Sequence, residues 1–216
     1  MSFDLFFYKQ KGRDFYDDEI GGYLTENLTP VDENGFQWVF ENEDTGVYFT
    51  FEINEPEDDA EAIELYENFD GYDNTRFTFN LNFVRPNFFG HEAFPFVERF
   101  MTDLDLYALT PQSKQTPDMP QKESAKDYYN DWERANLSVS SENFDEFQLI
   151  FCPAEHTDGI WRYNLEKNRL QEKLGDDYFV PSLILAKRCS NGDVISFSTW
   201  TQHIPNVFPP ADYFAI

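Results

Sequence analysis

From Asp14 to Thr75 the chain runs sixty-two residues with twenty Asp and Glu and no Lys, Arg or His. Such a segment cannot neutralise itself, so a fold containing it must turn its charges outward or answer them with cations from elsewhere. Compacting like charges costs self-repulsion that a mixed surface avoids. Elsewhere the chain carries twenty-one acids against all 16 basic residues, so most of the net charge of −25 belongs to the N-terminal third. A polyacidic chain can be a solvating, unstructured tail, but 24 Phe and 12 Tyr contradict that reading. Phe and Tyr take the place of the usual aliphatic core, and a chain of 216 residues can bury about 70% of its unfolded surface.

Local patterns predict the elements. Met1 to Lys9 alternates, with Phe3, Leu5 and Phe7 on one face of a strand that Gly12 ends. Asp14 to Leu28 has helical spacing and acids in its first turn, with Pro30 beyond its end. Phe36–Glu41 and Val47–Asn54 flank a turn-rich Asn42–Gly46 and read as a hairpin. Glu55 to Phe69 reads as a loop with some helix. Arg76 to Arg85 alternates Phe77, Phe79, Leu81 and Phe83 against polar residues, a half-buried strand stopped by Pro86. Phe88 to Leu104 predicts a helix, with Pro95 tolerable in a first turn. Leu106–Leu109 returns as a strand, and Glu123–Asn136 and Trp161–Leu174 predict helices, the latter capped by Gly175. Phe147–Phe151 is ambiguous between strand and helix. A second hairpin, 180–200, turns at Asn191-Gly192, and Tyr213–Ile216 closes the chain as a strand.

This order predicts an α+β fold with mainly antiparallel sheets, two hairpins and several packed helices. An acidic region, 1–110, is followed by a Pro-rich linker, 111–122, and a helical and hairpin region, 123–216, expected to share one core with the first. The N-terminus lacks the pattern of a signal peptide, and no window approaches the roughly 18 uncharged apolar residues of a membrane span. Two cysteines, Cys152 and Cys189, make no disulfide framework. Together these features fit a cytoplasmic protein without a membrane partner.

Nothing in the sequence has the pattern of catalysis. His91, His156 and His203 are scattered, and no nucleophile elbow, phosphate loop, dinucleotide fingerprint or zinc-protease motif occurs. Cys152 and His156 have the spacing of two zinc ligands on one turn, but structural zinc needs about four ligands, so neither metal nor cofactor is expected. Arg85 to Ala93 gathers Arg, His and Glu at a strand-to-helix junction. It reads either as a pocket or, more simply, as a junction in which Asn87 caps the helix and Arg85 pairs with an acid. Two sequons, at Asn27 and Asn136, have no export signal to make them acceptors.

Charge is the functional signal. Duplex DNA is bound by Lys and Arg, so a chain of this sign does not bind nucleic acid, although a rigid acidic face can occupy a basic cleft much as phosphates do. The expected partner-binding surface comprises Asp44 at the hairpin tip and the following acidic segment, with Glu55, Glu57, Asp58, Asp59, Glu61, Glu64, Glu67, Asp70 and Asp73. Tyr66, Phe69 and Tyr72 are its candidate aromatic anchors.

The opening MSFDLFFYK, the segments GVYFTFEIN and FNLNFVRPNFFGHEAFPFVERF, and the closing run WRYNLEKNRLQEKLGDDYFVPSLIL followed by IPNVFPPADY resemble an uncharacterised family of bacterial proteins. These proteins look like immunity proteins paired with polymorphic or type VI secretion toxins. The resemblance implies a cytosolic, non-enzymatic inhibitor that binds one cognate toxin, and acidity implies that the toxin is basic. A DNA-mimic regulator or anti-restriction protein is the alternative. An enzyme with a pocket near 85–92 is a third reading.

Overall fold

Alternation in the first nine residues of secondary structure sets the frame. The computed structural model describes residues 1–12, 17–31, 35–55, 66, 69–112 and 119–216. In chain order the elements are β1 (Ser2–Gln10), α1 (Asp17–Asn27), β2 (Thr29–Pro30), β3 (Gln37–Asn42), β4 (Val47–Ile53), β5 (Tyr72–Asn82), α2 (Phe88–Asp103), β6 (Tyr107–Leu109), α3 (Ala125–Glu142), α4 (Ala154–Leu174), β7 (Ile184–Lys187), β8 (Val194–Thr199) and β9 (Tyr213–Ala215). The fold is α+β. One sheet has the order β2-β3-β4-β5-β1-β6 and a second the order β7-β8-β9.

The chain divides into two units, the first comprising Met1–Glu41, Val47–Arg85 and Phe89–Asn143, the second Asn42–Gly46, Pro86–Phe88 and Phe144–Ile216. The division near the middle of the chain therefore lies between Asn143 and Phe144. Of the Pro-rich stretch, 113–118 lie outside the described residues; α3 falls inside the first unit, where its buried Tyr128 and Trp132 pack against Phe94 of α2.

In the first unit the strand period of two separates two chemistries. Leu5 of β1, Phe79 of β5 and Phe51 of β4 stand opposite one another across the sheet and are fully buried. Helices α1 and α2 cover this face. Phe100 of α2 meets Phe7 at 4.9 Å, Phe51 at 5.0 Å and Tyr23 of α1 at 5.6 Å, each edge to face, the arrangement aromatic quadrupoles favour. The alternate residues make a polar row in which Asp4 lies opposite Asn80, and Asn80 opposite Thr50.

Several boundaries differ from the sequence reading. β5 starts at Tyr72 instead of Arg76, with an irregularity opposite Phe6–Tyr8 where Arg76 adopts φ +63°, so alternation reads cleanly only beyond it. Pro95 lies in the interior of α2 and not in its first turn. The missing N–H costs about 3 kcal/mol in an isolated helix, and burial of Phe94, Phe96, Val97 and Phe100 around it offsets that cost. α3 starts with a capping box: the Ser124 hydroxyl accepts from the Asp127 N–H while the Asp127 carboxylate accepts from the Ser124 N–H.

The second unit is built around α4, which begins at Ala154, seven residues before the expected start, with Pro153 at its N-cap. Gly175, at φ +74°, ends it. Amide side chains dock the helix on the following loop. Asn164 accepts from the Leu183 N–H at 2.8 Å and donates to the Leu183 carbonyl at 2.9 Å, and Gln171 accepts from the Val180 N–H at 3.0 Å. Phe147–Phe151 is neither strand nor helix. β7 and β8 form the second hairpin, and β9 joins β8 in parallel. No helix among the described residues is long and apolar enough to cross a membrane.

Candidate functional site

The acidic segment gathers its described residues where β1 and β4 finish and β5 begins. Asp73 stands opposite Lys9 in the β1–β5 ladder, the Lys11 N–H donates to the Gly71 carbonyl at 2.9 Å, and Glu55 follows Asn54, whose N–H donates to the Arg76 carbonyl at 2.9 Å. Glu55, Asp70 and Asp73 are exposed. Glu57, Asp58, Asp59, Glu61, Glu64 and Glu67 lie outside the described residues.

The expected aromatic anchors serve the fold. Tyr66 stacks on Phe6 at 5.1 Å, and its carbonyl accepts from the Tyr8 hydroxyl at 2.7 Å. Phe69 meets the Tyr8 ring edge-on at 5.3 Å, and Tyr72 meets Tyr107 at 5.0 Å. All three are half-buried. Part of their apolar area packs them against β1 and β6.

Asp44 has partners within the chain. Its carboxylate forms an ion pair with Lys167 at 2.5 Å and accepts a hydrogen bond from the Asn168 amide, both on α4. The turn that carries it precedes β4, whereas Glu55 follows the other end of that strand. Asp44 belongs to the second unit, whereas Glu55, Asp70 and Asp73 belong to the first.

Asp18, Glu19, Glu26, Glu41, Glu55, Asp70 and Asp73, all in the first unit, are exposed and form no ion pair with a described residue. The described ion pairs use Asp105, Asp131, Glu166 and Asp44, of which only Asp44 lies in the cation-free stretch. Among the described residues, then, these exposed acids of the cation-free stretch are not answered by ion pairs.

Arg85, the cation of the alternative pocket, donates to the Tyr48 hydroxyl and lies over the rings of Tyr48 at 5.2 Å and Phe89 at 5.8 Å. Its partner is a phenol where an acid was expected. The guanidinium and the Asn82 amide, the larger influence, both hold the Tyr48 hydroxyl below its usual pKa. His91 stacks on Tyr129 at 4.8 Å. Packing occupies the two distinctive side chains of this junction.

Sequence reasoning missed a cavity of about 720 Å³ in the second unit, where Cys152 and His156 meet Arg188, Asp212 and Tyr213. The four-residue spacing of Cys152 and His156 was its sole trace in the sequence. Burial pushes the Cys152 thiol above its usual pKa, so it is the neutral form that lines the wall. No group of three or more His, Cys, Asp or Glu among the described residues could hold a metal ion.

Comparison with protein-family models, with curated proteins and with solved structures found no match.

Proposed function

We propose that this chain is an acidic immunity protein that binds and neutralises a cognate basic bacterial toxin in the cytosol, without catalytic turnover. The observation that carries the reading is the set of seven exposed acids of the cation-free stretch within the first unit, Asp18, Glu19, Glu26, Glu41, Glu55, Asp70 and Asp73, that make no ion pair with a described residue. Acids kept unpaired oppose folding through mutual repulsion, and a basic partner that answers them converts this repulsion into fast, steered association. An inhibitor must capture its toxin before the toxin acts, so the association rate matters alongside affinity. The family resemblance supports the same reading independently of charge.

Co-expression with the product of the neighbouring gene tests it. A stable complex is expected, with an association rate that falls steeply as ionic strength rises and with the partner's activity suppressed. Changing Glu55, Asp70 and Asp73 together to Lys is expected to slow association more than it alters dissociation. A rate indifferent to both salt and charge reversal would remove the acidic face from the reading. Capture of a DNA-binding regulator in place of a toxin would favour the DNA-mimic alternative.

A further inference from the structure

Three aromatic side chains of the second unit meet on its surface. Trp200, which follows β8, packs edge-on against Phe208 at 5.8 Å, and Phe208 packs edge-on against Phe214 of β9 at 5.1 Å. Their exposures are 45%, 57% and 36%. Single exposed apolar side chains are ordinary on a protein surface, whereas rings in mutual contact make a patch, and patches mark interaction sites.

The loop that carries the rings is fixed along its length. The Asn206 side chain closes it, accepting from the Thr201 N–H at 3.1 Å and donating to the Thr201 and Ile204 carbonyls at 2.8 and 2.6 Å. The Phe179 N–H donates to the Pro205 carbonyl and the Val207 N–H to the Phe179 carbonyl, each at 2.9 Å. The Trp200 N–H donates to the Ala215 carbonyl at 2.7 Å, tying the start of the loop to β9. Pro205, Pro209 and Pro210 restrict the same backbone. Rings held in place before contact lose little conformational freedom on binding.

Charge selects the occupant. From Cys189 onward the chain has Asp193 and Asp212 and no Lys or Arg, and the whole chain carries −25. A second copy or an acidic surface would bring like charge against like, while a basic one is attracted. Aromatic faces are the negative side of the ring quadrupole and draw guanidinium groups, as the Arg188 guanidinium over the Tyr213 ring of β9 at 5.2 Å illustrates. A planar guanidinium stacks on such a face better than a hydrated ammonium does.

We propose that the Trp200–Phe208–Phe214 cluster docks an arginine-bearing segment of a basic protein, its guanidinium stacked on an exposed ring and its stem packed against the neighbouring rings. The inference rests on the reading of a basic partner and names a surface that anchors it, since buried aromatic anchors carry most of the energy of an interface.

Two acetylated, amidated pentapeptides of equal charge, Gly-Arg-Gly-Arg-Gly and Gly-Lys-Gly-Lys-Gly, are the probes. They are titrated into full-length isotope-labelled protein while the indole N–H signals of the 4 Trp are followed by NMR. The Trp200 signal is assigned by its loss in Trp200→Phe. The arginine peptide is expected to shift that signal saturably and to bind about threefold more tightly than the lysine peptide, the size of a surface cation–π contact. Phe208→Ser is expected to erase the preference for arginine. Changing Glu55, Asp70 and Asp73 of the first unit together to Lys is expected to keep it. An unmoved Trp200 signal, equal affinity for the two peptides, a preference that survives Phe208→Ser, or one lost with the three acids each overturns the proposal. So does a dimer in sedimentation that Phe208→Ser dissolves, because the patch would then face a second copy. Should Phe208→Ser fail to fold, the comparison of the two peptides on the unaltered protein decides. The product of the neighbouring gene takes no part in these titrations, so a complex indifferent to salt and charge reversal would remove the acidic face from the reading without touching the arginine preference.

Discussion

Asn136 of α3 holds Val84 in a left-handed backbone conformation. Val84 has φ +61°, a region that β-branched residues avoid. The Asn136 Oδ1 atom accepts from the Val84 N–H at 2.7 Å and from the Arg85 N–H at 3.3 Å, while its Nδ2 donates to the Arg85 carbonyl at 2.8 Å. One buried carboxamide thus satisfies three backbone groups at the point where the chain leaves β5. The same engagement removes Asn136 from consideration as a glycosylation acceptor.

Asn136→Ala is therefore expected to destabilise the protein by about 3 kcal/mol or more, because it leaves those groups without partners and the strain at Val84 without support. Urea unfolding measures this. A loss of only a few tenths would mean that the Val84 turn needs no clamp.

The approach of α2 to α3 sets a second expectation. A Cβ added at Gly90 would stand 2.7 Å from the Tyr129 ring and 3.1 Å from that of Trp132. Tyr129 is itself fixed, stacked on His91 and donating its hydroxyl to Glu133 at 3.0 Å. In an open helix Gly→Ala stabilises by about 1 kcal/mol, whereas overpacking costs about 1–3 kcal/mol. Gly90→Ala is expected to be net destabilising by about 1 kcal/mol. A rise in melting temperature would show that the Tyr129 ring moves aside freely.

Glu123 gives a pH signature. Burial, then the nearby Asp131 and Asp127, raise its pKa above the ordinary carboxylate value. The folded state then holds the proton more tightly than the unfolded chain does. Its ionised form opposes folding, and the penalty is absent below the unfolded pKa of about 4.3 and complete once pH exceeds the folded value. Glu123→Gln is expected to raise the urea midpoint at pH 7, with the difference from the natural protein vanishing near pH 4. An equal difference at both pH values would refer the effect to packing.

What the sequence made legible was local. Phe3, Leu5 and Phe7 announce β1, the turn at Asn42–Gly46 announces the first hairpin, and Asn191-Gly192 the second, because a strand period and a turn residue act over a few positions. What it hid depends on pairs far apart in the chain. Asp44 looks like a free acid until Lys167 and Asn168, more than 120 positions later, engage it. Tyr66 and Phe69 look like exposed anchors until Phe6 and Tyr8 cover them. The cavity joins Cys152 and His156 to Arg188 and Asp212 across the second unit, and no spacing rule connects them.

The acids of the first unit allow a test that needs no partner. Glu55, Asp70 and Asp73 are exposed, lie in a stretch without a single cation, and form no ion pair with a described residue. If they persist against mutual repulsion, salt that screens them should stabilise the fold, since the Debye length shrinks from about 30 Å at 0.01 M to about 8 Å at 0.15 M. The urea midpoint is expected to rise over that range of sodium chloride. Changing all three to Lys is expected to raise the midpoint at low salt and to reduce the further gain from added salt. Charges that the fold would be better without need another reason to be there, and a basic partner supplies it. A triple variant less stable than the natural chain at low salt would show instead that these carboxylates support the fold, and the charge argument for a partner would lose its foundation.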